Sequence, residues 1–213
     1  MKEKPIIFST EMVKAILAER KTMTRRVIKK KYDNTHIEWF KNKYGTRLVE
    51  MQDNIEGETF GVKPDGISFQ KILGYREIKC PWEVGDVLWV RETWNQALNT
   101  ETDELGYVYK EQMLRENVIY TDLDDDPIKW RPSRYMPRKA ARLFLKVKDI
   151  RVERVQDITE EDAIAEGCEK LLMETRSARN NFMNLWNSIN TKRGYIWAMN
   201  NWVWAVEFER VEV

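Results

Sequence analysis

Residues 141–155 read ARLFLKVKDIRVERV. Leu143, Leu145 and Val147 recur at the two-residue period of a strand; the phase slips near Asp149, and Ile150 and Val152 resume on the opposite parity. A strand whose apolar set changes parity holds an extra residue, hence a bulge or sharp bend, the device by which a sheet curls toward a barrel. The spacing therefore predicts one long bent strand over Ala141–Val155 within a barrel-like sheet.

The flanking segments supply its neighbours. On the carboxyl side, Thr159–Gly167 (TEEDAIAEG) reads as a compact helix with Thr159 and Asp162 at capping-box spacing and Gly167 at the C′ position. A second helix is expected over Thr175–Asn190, with Phe182, Leu185, Trp186 and Ile189 on one face. Trp202–Val211 alternates as a closing strand. On the amino side, Val84–Trp94 (VGDVLWVRETW) is a strand launched from a Gly-Asp turn. In it Val87, Trp89 and Arg91 alternate with Leu88, Val90 and Glu92.

Nearer the start, Ile6–Phe8 reads as a short strand, and Ser9 or Thr10 caps a helix carrying Met12, Val13, Ile16 and Leu17 that ends near Arg20. Thr22–Ile28 follows as a basic extended edge. Residues 29–80 are polar and poor in periodic apolar residues, an excursion with a helix near Ile37–Tyr44 and a strand near Ile67–Leu73. Residues 100–137 hold shorter strands (Tyr107–Lys110, Val118–Thr121), an acidic loop and the Pro-marked WRPSRYMPR, residues 130–138. Strands at both ends and few short helices give an α+β fold with a barrel-like sheet, in one domain with insertions at about 29–80 and 100–137.

Composition narrows the function classes. The 213 residues carry a net charge of +1, which argues against a protein that coats nucleic acid indiscriminately. The charge is uneven: residues 1–31 hold ten Lys/Arg against three Glu, a local excess of +7. Nine Trp, eight Tyr and seven Phe supply buried area and flat faces on which a base could stack. Cys80 and Cys168 are far apart and fit two buried thiols in a reducing compartment. His36 is the sole histidine, so triad chemistry and a His-based metal site are not expected. The Asp122–Asp126 run lacks the Gly and terminal Glu of a calcium loop. Neither a metal nor a cofactor is expected. The amino terminus lacks a signal-peptide core and no apolar stretch approaches membrane-spanning length, so a cytoplasmic location is the expectation.

The chemistry concentrates in Arg20–Arg26, RKTMTRR. Four cations and two hydroxyls just past a helix end suit an anion-recognition loop, with Arg gripping phosphate and a desolvated Lys acting as a base; a solvated basic strand edge is the alternative. Arg91, Glu92 and Trp94 form a second cluster, in which only one of Arg91 and Glu92 can face a given side, and Trp94 could stack on a base or fill the core as Trp89 does. Arg131, Arg134 and Arg138 form a third, for phosphate or for solvation.

The stretch ILAERKTMTRR, residues 16–26, resembles the signature of the ASCH domain family within the PUA-like superfamily, where a helix of the form ILxGxKT runs into a strand. VGDVLWVRETW, residues 134–167 and the terminal WVWAVEFERV add to the likeness, which looks closest to ASCH-type proteins encoded by bacteriophages and prophages. The pocket motif is similar to that of the small N4-acetylcytidine amidohydrolases. That resemblance implies Lys21 as base, Thr24 as nucleophile and Glu166 as proton shuttle, with Arg20, Thr22, Arg25, Arg26, Arg91, Glu92, Trp94 and Arg138 as substrate-binding candidates. The chain departs from the pattern at Glu19, where the family often has Gly, and at Arg25, where it is more often apolar. The implied function is a hydrolase of a modified nucleoside; a noncatalytic reader of RNA or a modified base, a ribonuclease, and a phage accessory protein that binds a host protein are the alternatives. The expected partners are RNA, single-stranded nucleic acid or a modified nucleoside.

Overall fold

The computed structural model describes residues 2–32, 35–42, 45–52, 76–98, 105–116, 128–168 and 177–212. These form β1 (Glu3–Ile7), α1 (Thr10–Leu17), β2 (Met23–Val27), β3 (Thr35–Asn42), β4 (Gly45–Gln52), β5 (Arg76–Glu77), β6 (Val87–Arg91), β7 (Trp94–Leu98), β8 (Leu105–Tyr109), α2 (Lys110–Glu116), β9 (Phe144–Arg154), α3 (Glu160–Ala165), α4 (Ala178–Asn190) and β10 (Trp202–Val211). The architecture is mixed α+β. The chain divides into two compact units, one of residues Met1–Arg26 with Trp82–Val213 and the other of Val27–Pro81.

In the larger unit a five-stranded sheet runs in the order β1-β6-β9-β10-β2. β9 is the long strand, and its bulge is explicit. Glu207 of β10 faces Asp149 while the next residue, Phe208, faces Val147, so Lys148 has no opposite. Before the bulge Leu145 and Val147 are buried; beyond it the strand is mostly exposed or half-buried. Phe8, Val13, Ile16, Leu88, Val90, Leu143, Leu145, Val147, Val206 and Phe208 make the core. β6 is buried on both faces: Leu88 and Val90 enter that core, whereas Val87 and Trp89 pack on Phe144 on the other side. Trp89 is thus a packing residue of the second face. Among the described residues no ladder joins the outer strands β1 and β2, and the barrel expectation meets an open strand order. A side chain links those edges instead, with Arg26 Nη2 donating to Ile7 O at 2.6 Å.

The helices follow their caps. Ser9 accepts from Met12 N and starts α1, which stops at Leu17, earlier than the apolar spacing suggests, because Glu19 turns into the left-handed region at φ 57°. Thr159 accepts from Asp162 N, as its spacing predicts, but the Asp162 carboxylate turns away to arginines. α4 buries Phe182 and Trp186; Ile189 is exposed, and Asn190 is the buried residue there, donating to Trp186 O.

The smaller unit corrects one expectation. A hairpin of β3 and β4, extended by β5, stands where a helix near Ile37–Tyr44 was expected. Thr35 and Ile37 are buried while His36 is exposed, a two-residue period over a β-branched stretch, and Gly45 takes a positive φ at the turn. Buried Glu50 accepts from Lys31 N, Tyr32 N and Thr35 Oγ1, and from Arg76 at 2.7 Å. The strands expected near Ile67–Leu73 and Val118–Thr121, and the Asp122–Asp126 run, lie outside the described residues. Among the described residues no helix is long and apolar enough to cross a membrane.

Candidate functional site

The site starts where α1 ends. After the left-handed turn at Glu19, the amides of Arg20 and Lys21 both donate to Ala15 O, and the chain enters β2. From far along the sequence, the end of α3 docks on this corner: Thr22 N donates to Ala165 O at 2.8 Å, and Lys21 forms an isolated antiparallel bridge with Glu166. Gly167 permits the approach. It has φ 89°, and a Cβ there would meet the Ala15 and Lys21 Cβ atoms at 3.3 and 3.4 Å.

The docking brings Lys21 Nζ to 2.6 Å from Glu166 Oε2 and 2.9 Å from Glu166 O. Both side chains are sealed, at 0% and 3% exposure. Burial lowers the Lys21 pKa; Glu166 pulls it back up and Arg26 lowers it further. Cys168, two residues on, has its thiol pushed up to about 11, by burial and then by the Glu166 charge.

Thr24 is buried in β2, and among the described residues its hydroxyl forms no hydrogen bond. Strand alternation sets it on the face of Arg26, opposite Met23 and Arg25. Arg26 lies 5.0 Å over the Phe8 ring, which Lys21 Nζ meets at 5.8 Å. Lys21 and Glu166 are joined directly; Thr24 is hydrogen-bonded to neither.

Arg25 is held by three carboxylates. Its Nε donates to Glu153 at 2.7 Å and its Nη2 to Asp162 at 2.6 Å, while Nη1 stands 3.4 Å from Glu166. Arg151 closes the network on Asp162 at 2.8 Å. The Arg25 guanidinium is fully enclosed and committed to these acids. Sequence reasoning missed Glu153, Asp162 and Arg151 as parts of this site. The one available signal was Arg25 itself, a charge at an apolar position that required buried acids from elsewhere in the chain.

The second cluster sits apart, sharing no hydrogen bond or ion pair with Lys21 or Glu166 among the described residues. Glu92 is buried against Arg142, which reaches both its oxygens at 2.9 Å and also bridges Glu111 at 3.0 Å. Burial raises the Glu92 pKa, opposed by Arg142. Arg142 lies 4.1 Å over Tyr109, whose hydroxyl donates to Ala140 O. Trp94 is buried between Arg131 and Tyr107, its indole nitrogen without an acceptor among the described residues. Arg91 lies over Trp89 at 4.7 Å, and Arg138 forms two hydrogen bonds to Glu3. Arg20 and Thr22 are exposed. No group of three or more His, Cys, Asp or Glu side chains is placed to hold a metal ion among the described residues.

No protein-family model matches this chain, and no curated protein does. Among solved structures, a crystal structure of an ASCH domain from Lactobacillus crispatus JV V101 superposes over 98% of this chain and 79% of its own, with 10% identity and a TM-score of 0.39. At that score the two backbones share too little geometry for the likeness to carry an argument.

Proposed function

We propose that this chain is one ASCH-type, PUA-like barrel domain, with insertions near 29–80 and 100–137, that binds a modified nucleobase and hydrolyses its amide, as in N4-acetylcytidine. The observation that supports this reading is the Lys21–Glu166 pair. Two residues 145 positions apart, singled out from the sequence for complementary roles, meet at 2.6 Å in a dry corner.

In the proposed reaction, neutral Lys21 takes the Thr24 hydroxyl proton as the oxygen attacks the amide carbon. Burial favours the neutral amine this step requires. The carbon–nitrogen bond then breaks, and the exocyclic nitrogen leaves with a proton delivered through Glu166. Water attacks the threonyl ester, releasing acetate and returning the proton to Thr24. Arg25 is a positioning residue in this scheme: with Asp162 and Glu153 it fixes the face of Glu166 that Lys21 does not hold.

A second reading, a noncatalytic reader of the same base, is favoured by the complete enclosure of Lys21. Incubation with N4-acetylcytidine, with cytidine followed by chromatography, separates the two. Hydrolysis is expected from the wild type, none from Thr24→Ala, and partial recovery in Thr24→Ser. Binding without product assigns the reader; turnover undiminished in Thr24→Ala removes the nucleophile.

A further inference from the structure

Residues 129–139 read KWRPSRYMPRK, five cations and no acid in eleven residues. A block of like charge ordinarily repels itself into disorder, but this one is fastened into the fold. Pro132 and Pro137 each lead into a 3-10 turn, Ser133–Tyr135 and Arg138–Ala140, and fix φ where the chain bends. Met136 and Ala140 are buried in a cluster with Trp94 and Tyr109. Trp94 and Arg131 exchange both main-chain hydrogen bonds, at 3.3 and 2.9 Å. Asn95 donates to Lys129 O, and the Tyr109 hydroxyl donates to Ala140 O. The backbone of the loop is thus anchored near both ends and in the middle.

Its charges are left without acids. Arg115, Lys148 and Arg151, exposed elsewhere in the larger unit, each meet a carboxylate. Within the loop only Arg138 does, on Glu3. Lys129, Arg131, Arg134 and Lys139 are exposed and form no ion pair among the described residues. Arg131 lies 5.3 Å over the Trp94 ring, and Arg134 lies 5.5 Å over the ring of Tyr135. Tyr135 is 67% exposed, more than any other large apolar or aromatic side chain among the described residues. A ring held in water on a fixed turn adds little to the core, yet it offers a flat face beside a guanidinium.

We propose that the loop of residues 129–139 docks single-stranded nucleic acid, with its unpaired cations on the phosphates and Tyr135 against a base. Fixed cations without acids suit a polyanion, and an exposed ring next to them suits a base that has left its stack. A duplex would use the cations and not the ring, because its bases are stacked inside. An acidic peptide has no flat ring system to set against Tyr135 in general. The loop shares no hydrogen bond or ion pair with Lys21 or Glu166 among the described residues, so the inference goes beyond the hydrolase reading and stands without it.

Fluorescence anisotropy of a labelled short oligouridylate with the full chain, at salt from about 50 to about 200 mM, tests it. Affinity should fall as salt rises. The triple variant Arg131→Gln, Arg134→Gln, Lys139→Gln should reduce the slope of log K against log salt by about 2, three contacts at roughly 0.7 each. Tyr135→Ala should weaken binding about tenfold without changing the slope, and Tyr135→Phe should keep it. Lys148→Gln, which removes an exposed charge elsewhere, should leave the slope as it was. No binding at the lowest salt, a slope untouched by the triple variant, or an equal fall in Lys148→Gln overturns the proposal. A duplex bound as tightly as the single strand, or Tyr135→Ala without effect, overturns the assignment to single strands. Poly-glutamate that displaces the oligomer as well as unlabelled oligouridylate does overturns it in favour of an acidic protein. Oligomer binding without turnover of N4-acetylcytidine removes the hydrolase reading and keeps the docking loop; turnover without oligomer binding does the reverse.

Discussion

Lys21 Nζ and Glu166 Oε2 stand 2.6 Å apart in a corner from which solvent is excluded, and each is the other's nearest opposite charge. Removing Lys21 leaves Glu166 out of water with only the longer, 3.4 Å contact to Arg25. Lys21→Met is therefore expected to destabilise the protein by about 3–5 kcal/mol, whereas adding Glu166→Gln to it recovers a large part of the loss. Urea denaturation of the two single variants and the double checks this. Burial makes a lysine replacement here costly to the fold whatever the residue does in turnover. A dead Lys21 variant is consequently weak evidence for catalysis, and Thr24→Ala with Thr24→Ser is the cleaner pair.

Cys168 reports on the same corner without touching the reaction. Its thiol is pushed up to about 11, by burial first and by Glu166 second, so almost no thiolate exists at neutral pH. Iodoacetamide at pH 7.5 is expected to label Cys80, which is partly exposed, and to spare Cys168. The sign of the stability effect follows. The folded thiol keeps its proton above the unfolded value of 9.0, so its contribution is present below pH 9 and lost toward pH 11. Rapid labelling of Cys168 in the native protein, read by mass spectrometry, would show the corner to be open.

Much of the larger unit was legible because its signals are local. The parity slip in ARLFLKVKDIRVERV marks a bulge at Lys148, one residue from where the pattern breaks, and the alternation of residues 202–211 gives β10 its full span. The site was legible only as ingredients. Lys21 and Glu166 could be named, yet nothing local says that Gly167 lets α3 close on Lys21, or that Asp162 leaves its helix cap for Arg25. Those are long-range outcomes of packing. The hairpin at 35–52 was missed for a related reason: its short apolar stretches suit a helix as well as a strand, and only the pairing of β3 with β4 decides. Glu92 shows the reverse error of emphasis, since a charge beside a tryptophan invites a binding role while the fold gives it to Arg142.

The smaller unit carries its own acid sensor. Burial alone would raise the Glu50 pKa; the hydrogen bonds from Thr35, Tyr32 N, Arg76 and Lys31 N outweigh it and bring it from 4.5 to about 2. A carboxylate depressed in the folded state stabilises above its unfolded pKa and loses that contribution as pH falls through the folded one. Stability of this unit is expected to decline between pH 4.5 and 2 by on the order of 2–3 kcal/mol. Hydrogen exchange of residues 45–52 as a function of pH reads it directly. Glu50→Gln should raise exchange at neutral pH and flatten the acid slope; a slope unchanged by that variant would place the acid sensitivity elsewhere.

Glu19 holds the left-handed conformation, φ 57°, that lets the chain leave α1 and present Lys21 to Glu166. A side chain in that region costs about 1–2 kcal/mol from the Cβ against its own carbonyl. Glycine escapes the clash but gives back roughly 0.5–1 kcal/mol through the greater freedom of its unfolded chain. Glu19→Gly should therefore stabilise by about 0.5–1 kcal/mol, visible as a higher urea midpoint with an unchanged slope. Glu19→Ala removes the same charge and keeps the Cβ, so it should gain nothing. Equal midpoints for the two variants would mean that the charge, and not the backbone, sets the energy of this turn. A gain confined to glycine would identify the corner beneath Lys21 as strained, and the strain as lying in the backbone step that aims the lysine.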